Sequence, residues 1–128
     1  MTDPTESQGI PKSPGAEDKA APAKKLRLLV VDDHEVVRQG LAALLNRRDA
    51  FQVVAEAGTV EEALSAVERF APDLVIMDVR LPDGSGIEAC RDIRAEYPDV
   101  RVVMLTSYPD EEAVLSAIVA GASGYLLK

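Results

Sequence analysis

Four of the apolar runs in this 128-residue chain end in residues that can do chemistry. Leu26–Val31 ends in Asp32 and Asp33, Leu74–Met77 in Asp78, Arg101–Leu105 in Thr106 and Ser107, and Gly124–Lys128 in Lys128 itself. Gathered in one place, three carboxylates would repel one another strongly. A hard divalent cation resolves that conflict, and Mg²⁺ suits one or two carboxylates completed by a carbonyl, water and phosphate oxygens. Such an ion would also neutralise charge on an incoming phosphoryl group, which is most of what phosphoryl transfer requires. Taken singly, each residue has an ordinary explanation: an Asp pair caps helices and forms turns, and a terminal Lys is solvated. The chemistry rests on the combination.

That combination depends on the elements that would carry it. Leu26–Val31 is apolar but for Arg27, as a buried parallel strand should be. His34–Asn46 follows with Val36, Val37, Leu41, Leu44 and Leu45 at helical spacing. Phe51–Ala55 is strand-like, and Thr59 can cap a helix to Phe70, with Glu62 placed for a capping box. Leu74–Met77 is a short buried strand, and a helix starting at Ser85 or Gly86 runs to Tyr97 before Pro98. Arg101–Leu105 is a fourth strand, Asp110 a cap for a helix to Ala120, and Gly124–Lys128 a fifth strand. Strands alternating with helices predict an α/β fold, a doubly wound parallel sheet covered on both faces. Ligands of such sheets sit at the carboxyl ends of the strands, where all the polar groups above fall.

Composition sets the remaining bounds. The length suits one domain. Apolar residues make up 47% of the chain, enough for a core, and the net charge of −8 does not favour direct contact with nucleic acid phosphates. Residues 1–25 carry four acidic and four basic side chains, four prolines and no periodicity, so a disordered tail is expected there. The whole −8 then falls on residues 26–128, whose only Lys is Lys128. No apolar run approaches the ~20 residues that cross a bilayer, and no secretory signal is evident. Cys90 is alone and cannot form an internal disulfide. A cytoplasmic location is therefore expected.

The runs LLVVDDHEVVRQGL, VIMDVRLPDGSGIE, VVMLTSY and GASGYLLK resemble the receiver family of two-component response regulators. The opening DDHEVVRQGL and the ending AGASGYLLK are most similar to the NarL/FixJ subgroup. DVRLPDGSGIEACRD and LTSYPDEEAVLSAI are similar to the hypoxia and dormancy regulators of actinobacteria. The resemblance covers residues 26–128 and implies a flavodoxin-like sheet of order 2-1-3-4-5. It also implies Asp78 as phosphoacceptor, Asp33 as direct metal ligand, Asp32 acting through water, and the Arg80 backbone carbonyl completing the site. Mg²⁺ is the implied ion, with Mn²⁺ as an alternative. Thr106 matches the hydroxyl that bonds the new phosphoryl group, Lys128 the base that neutralises it, and Tyr125 the switch aromatic. Pro82, Gly84 and Gly86 match the turn after the acceptor, where glycine permits unusual backbone angles. His34 invites a metal-ligand assignment, but the subgroup has histidine here without such a role. Arg80 and Tyr108 flank the phosphate position and are expected to slow attack by water.

The implied partners are a sensor histidine kinase and, through an output domain absent from these residues, DNA. A homodimer is open, and a membrane partner is not expected. The receiver would catalyse its own phosphorylation and slow dephosphorylation but turn over no separate substrate. Relatives continue past the position of Lys128 with a fifth helix and a DNA-binding domain, so this sequence is expected to be a fragment with apolar surface exposed along several strands of one sheet face. Three rivals are weaker. A dinucleotide-binding module needs Gly-x-Gly-x-x-Gly where Asp32-Asp33-His34-Glu35 stands. An aspartyl-phosphate hydrolase needs a second acid where Arg80 stands. A receiver that is never phosphorylated has no need of the intact set Asp32, Asp33, Asp78, Thr106 and Lys128.

Overall fold

A computed structural model describes residues 24–107 and 111–128. The expected tail, apart from Lys24 and Lys25, lies outside the described residues, as do Tyr108 and the proposed cap Asp110. Seven strands and four helices follow in order among the described residues: β1 (Leu26–Val31), α1 (Glu35–Asn46), β2 (Phe51–Ala57), α2 (Val60–Phe70), β3 (Leu74–Asp78), β4 (Arg80–Leu81), β5 (Gly84–Ser85), α3 (Gly86–Glu96), β6 (Arg101–Thr106), α4 (Glu111–Val119) and β7 (Gly124–Leu127). Five of the strands form one sheet in the order β2-β1-β3-β6-β7, all parallel. This is the order 2-1-3-4-5 when only sheet strands are counted.

Side chains alternate across the pleat and divide the core in two. Leu29, Val31, Val75, Met77, Val102 and Met104 face α2, α3 and α4, which bury Ala63, Val67, Cys90, Ile93 and Ala117 against them. The opposite set, Leu28, Val30, Ile76 and Leu105, is also buried. Helix α1 lies against β1 and β2 on that side and buries Ala42. The exposed apolar surface expected there is narrower than a run of several strands. Ile76 and Leu105 remain covered, and exposure concentrates at Leu126 on β7, which is 54% exposed.

At the amino-terminal edge one residue ties three strands together. Asp73 accepts the Arg27 N–H on Oδ2 (2.8 Å), donates its own N–H to the Arg27 carbonyl (2.8 Å), and accepts the Arg101 N–H on its carbonyl (3.0 Å). This fixes where β1, β3 and β6 start relative to one another. The register carries that alignment to the far edge, where Val31 pairs with Met77 and Asp78 with Leu105.

One element was absent from the sequence expectation. The turn after Asp78 is a small antiparallel hairpin, Arg80 opposite Ser85 and Leu81 opposite Gly84, with Pro82 and Asp83 at its tip. Gly84 has φ +155°, so a special backbone angle is needed there. Gly86 has no such angle and is required for space instead: a Cβ would lie 2.0 Å from the Asp78 carbonyl oxygen.

Candidate functional site

The reactive edge is assembled by strand register. Because β1, β3 and β6 are level, Asp32 follows the Val31–Met77 pair, Asp78 pairs with Leu105, and Thr106 pairs with Leu127. Backbone bonds lock the rim, with Val79 N–H donating to the Leu105 carbonyl (2.9 Å), Lys128 N–H to Thr106 (2.7 Å) and Gly86 N–H to Val79 (2.8 Å). Ser85 caps α3 behind it, its hydroxyl accepting the Ile87 N–H.

Asp32 is fully buried, and Asp78 and Thr106 nearly so. The Lys128 ammonium reaches both acids, at 2.7 Å from Asp32 Oδ2 and 2.8 Å from Asp78 Oδ2. Its side chain is only 15% exposed although the main chain at this end is open. Asp32 Oδ1 accepts the His34 N–H (2.9 Å), and Asp78 Oδ1 accepts the Arg80 N–H more loosely (3.3 Å). Burial pushes the Asp32 carboxyl upward, but the Lys128 ammonium and the His34 amide outweigh it and hold Asp32 below the usual carboxylate value. Burial likewise works against the Lys128 charge, and the two carboxylates overcome it, raising the ammonium above its ordinary value. Lys128 is therefore a fixed positive charge between two buried negative ones.

Asp33, His34, Asp78, Arg80, Thr106, Ser107 and Lys128 line a cleft of about 130 Å³. Liquid water takes roughly 30 Å³ per molecule, so the cleft suits an ion with its waters or a small anion. A larger groove, about 600 Å³ between α2 and α3, lies away from every strand end that carries a reactive group. Chemistry, not volume, selects the smaller cleft. The donor set fits a divalent ion: Asp32, Asp33, His34 and Asp78 offer ligand atoms all within 4.8 Å of one another. Among the described residues Lys128 is the one ammonium in contact with the buried carboxylates, so three acids converge on a cleft lined by two basic side chains, Lys128 and Arg80, and a dication is favoured there.

The structure thus brings together Asp32, Asp33, Asp78, Arg80, Thr106 and Lys128. Tyr125 does not line the cleft. It packs against the core on the α4 side, its hydroxyl buried and without a hydrogen-bond partner among the described residues. His34, set aside on sequence grounds, joins the cluster, its Nδ1 at 3.4 Å from both Asp32 Oδ1 and Asp33 Oδ1.

Two supporting residues were missed. Asp83, at the hairpin tip, accepts the Val60 N–H (2.7 Å) and the Glu61 N–H (3.1 Å) at the start of α2. Thr59 Oγ1 accepts the next one, from Glu62, and Glu62 Oε1 accepts from Gly58, one residue before the cap. The free donors of that helix end are thereby taken, and the loop after Asp78 is stapled to α2. Arg38 is the second: it donates to the Asp32 carbonyl (2.9 Å) and pairs with Glu56 (3.1 Å), fixing the acidic turn from behind. Asp83 stands in a Pro-Asp-Gly-Ser turn, where its type already had an explanation, and Arg38 lies on a helix stripe. Only the spatial neighbours separate these roles from solvation.

Comparison with known proteins agrees with this geometry. Residues 28–128 match the family described as response regulator receiver domain. The chain is 53% identical over 103 residues to the DNA-binding transcriptional activator DevR/DosR of Mycobacterium tuberculosis, an alignment spanning 80% of this chain and 48% of that protein. It is 40% identical over 104 residues to the transcriptional regulatory protein DegU of Brevibacillus brevis, spanning 81% and 44%. Among solved structures, a LuxR-family two-component response regulator from Aurantimonas sp. SI85-9A1 superposes with a TM-score of 0.78 at 41% identity, covering 82% of this chain and 75% of that one. The signal receiver domain of the putative response regulator NarL from Mycobacterium tuberculosis does so at 0.78 and 30% identity, covering 81% and 84%. The chain spans about half the length of the curated relatives it matches. No helix among the described residues is long and apolar enough to cross a membrane.

Proposed function

The chain belongs to the response regulator receiver domain family, and from that premise we propose that Asp78 accepts a phosphoryl group from a sensor histidine kinase and so switches a DNA-binding output domain in the whole protein. The observation that carries the proposal is the Lys128 ammonium held between Asp32 Oδ2 and Asp78 Oδ2. It sits beside the reacting oxygen, already desolvated, where negative charge develops.

Asp33, Asp78 and the Arg80 carbonyl would hold Mg²⁺, or Mn²⁺ in its place, with Asp32 acting through water. The ion would supply charge neutralisation for the transferring group. An Asp78 carboxylate oxygen attacks phosphorus, forming an O–P bond. The P–N bond of the kinase phosphohistidine breaks, and its electron pair returns to the imidazole. Lys128 passes from the carboxylate to the new phosphoryl oxygens, and the Thr106 hydroxyl donates to another of them. Those bonds exist only in the phosphorylated state, so they bias the loop after β6 and the face carrying Tyr125. A difference of ~1–3 kcal/mol suffices to shift populations usefully. The receiver turns over no separate substrate. Hydrolysis of its own acyl phosphate is the only later step, and it is slow.

The test is intact mass after incubation with acetyl phosphate and Mg²⁺. The chain gains the mass of one phosphoryl group and Asp78→Asn does not. Equal labelling of both, or of neither, refutes the proposal.

A further inference from the structure

His34 is the only histidine in the chain. Its Nδ1 lies 3.4 Å from Asp32 Oδ1 and 3.4 Å from Asp33 Oδ1. Two ligand atoms bound to one ion at about 2.0–2.1 Å and held at the tetrahedral angle sit roughly 3.4 Å apart, whereas octahedral neighbours at the same bond length sit roughly 2.9 Å apart. Both spacings from His34 Nδ1 therefore match a four-coordinate site with mixed nitrogen and oxygen donors, and the remaining ligand atoms lie within 4.8 Å of one another. Mg²⁺ prefers all-oxygen octahedral surroundings, while imidazole favours the borderline transition-metal dications.

We propose that Asp32, Asp33 and His34 give this cleft a second mode of cation binding, in which a dication of the Zn²⁺ class is held by His34 Nδ1 and one oxygen from each carboxylate. Water or Asp78 completes the four. The imidazole is accessible to an ion from solvent. It is 69% exposed, and although His34 stands at the N-cap of α1 its side chain makes no capping hydrogen bond. Asp32 Oδ1 spends one acceptor site on the His34 N–H and keeps another, since a carboxylate oxygen has two lone pairs. An ion bound this way occupies carboxylates that Mg²⁺ would use, so the two compete. The consequence, that Zn²⁺-class ions block phosphorylation, rests on the function proposed above; the binding mode does not.

A lone histidine makes the test direct. The untagged chain, labelled with ¹⁵N in the imidazole, is titrated with ZnCl₂ and then with excess MgCl₂ while the ring nitrogens are followed by NMR. One ring nitrogen is expected to shift strongly upfield and saturate at one equivalent, and Mg²⁺ is expected to reverse the shift. Zn²⁺ binding without an imidazole shift, or a shift that Mg²⁺ leaves untouched, overturns the proposal. His34→Gln, shown to be folded by circular dichroism, should lower Zn²⁺ affinity at least ~10-fold more than Mg²⁺ affinity, a loss no smaller than that of an outer-shell partner. Equal losses for both ions also overturn it. Acetyl phosphate labelling of the same sample separates the two readings. Labelling without an imidazole shift defeats this inference alone, and an imidazole shift without labelling defeats the proposed function alone.

Discussion

Replacing Gly86 with Ala places one methyl group where strand β3 has no room for it. The new Cβ would stand 2.0 Å from the Asp78 carbonyl oxygen, 3.0 Å from the Asp78 carbonyl carbon and 3.2 Å from Met104 Cε. The worst contact is about 1.4 Å short of van der Waals separation, and the obstructing atom is backbone, which cannot rotate away. Relief requires α3 to withdraw from β3 or β3 to bend, and both disturb the Gly86 N–H bond to the Val79 carbonyl. Overpacking of this kind costs ~1–3 kcal/mol and sometimes more, and a backbone clash belongs at the upper end. Against a domain stability of roughly 5–15 kcal/mol, a loss of about 3 kcal/mol is visible in a urea melt followed by circular dichroism. The same movement displaces Asp78 from Lys128. A misplacement of ~1 Å can cost ~100-fold in rate, so labelling by acetyl phosphate should fall far more than the folded fraction does. A Gly86→Ala variant that melts with the parent and is labelled at the parent's rate would refute the reasoning.

Three further outcomes follow from the geometry. Asp83→Ala frees two N–H donors of α2 and the tip of the hairpin, so the urea midpoint should fall. The difference should vanish as pH drops below 3.8, because the bonds to Val60 and Glu61 hold this carboxyl below that value and acid removes them in the parent too. For the Lys128 cluster the signs run in both directions. Asp32, held below 3.8, stabilises above that pH and loses its contribution as pH falls through its lowered value. Lys128, held above 10.5, stabilises below that pH and loses its contribution as pH rises past its raised value. Lys128→Met strands two buried carboxylates and should cost ~3–5 kcal/mol at neutral pH without metal. Its stability should rise on mild acidification, where the parent's does not; parallel pH profiles of urea midpoints would contradict this. Tyr125→Phe removes a buried hydroxyl that has no partner among the described residues and should raise the melting temperature, by about 1 kcal/mol in stability. Calorimetry showing a loss instead would mean that the hydroxyl is satisfied.

Strand and helix positions were legible because apolar periodicity is local. Leu26–Val31 and the helix to Asn46 read directly off the chain, and the other sheet strands differ only at their ends. Asp32, Asp33, Asp78, Thr106 and Lys128 could be brought together from the sequence alone, since parallel strands of matched register must deliver their carboxyl ends to one edge. The hairpin from Arg80 to Ser85 was not legible, because two residues per strand carry no periodicity. The hidden role of Gly86 differs again. Steric demand comes from a neighbour's backbone, and sequence offers only the residue type, which the angle argument had already explained. His34 was dismissed on family resemblance, whereas its placement beside two carboxylates depends on the turn that seats it at the head of α1.

Asp73 gives the molecule a ruler. With the starts of β1, β3 and β6 bound to one residue, the height of each reactive group above that base is set by a residue count, and β3 counts five. Adding one residue within Leu74–Met77 would lift a methionine to the level Asp78 now holds and turn the aspartate to the opposite face; removing one would aim the carboxylate into the oily layer beneath the helices. Length can therefore vary in the connections at the base of the sheet, but within these strands an insertion or deletion takes the cluster apart even where every side chain survives.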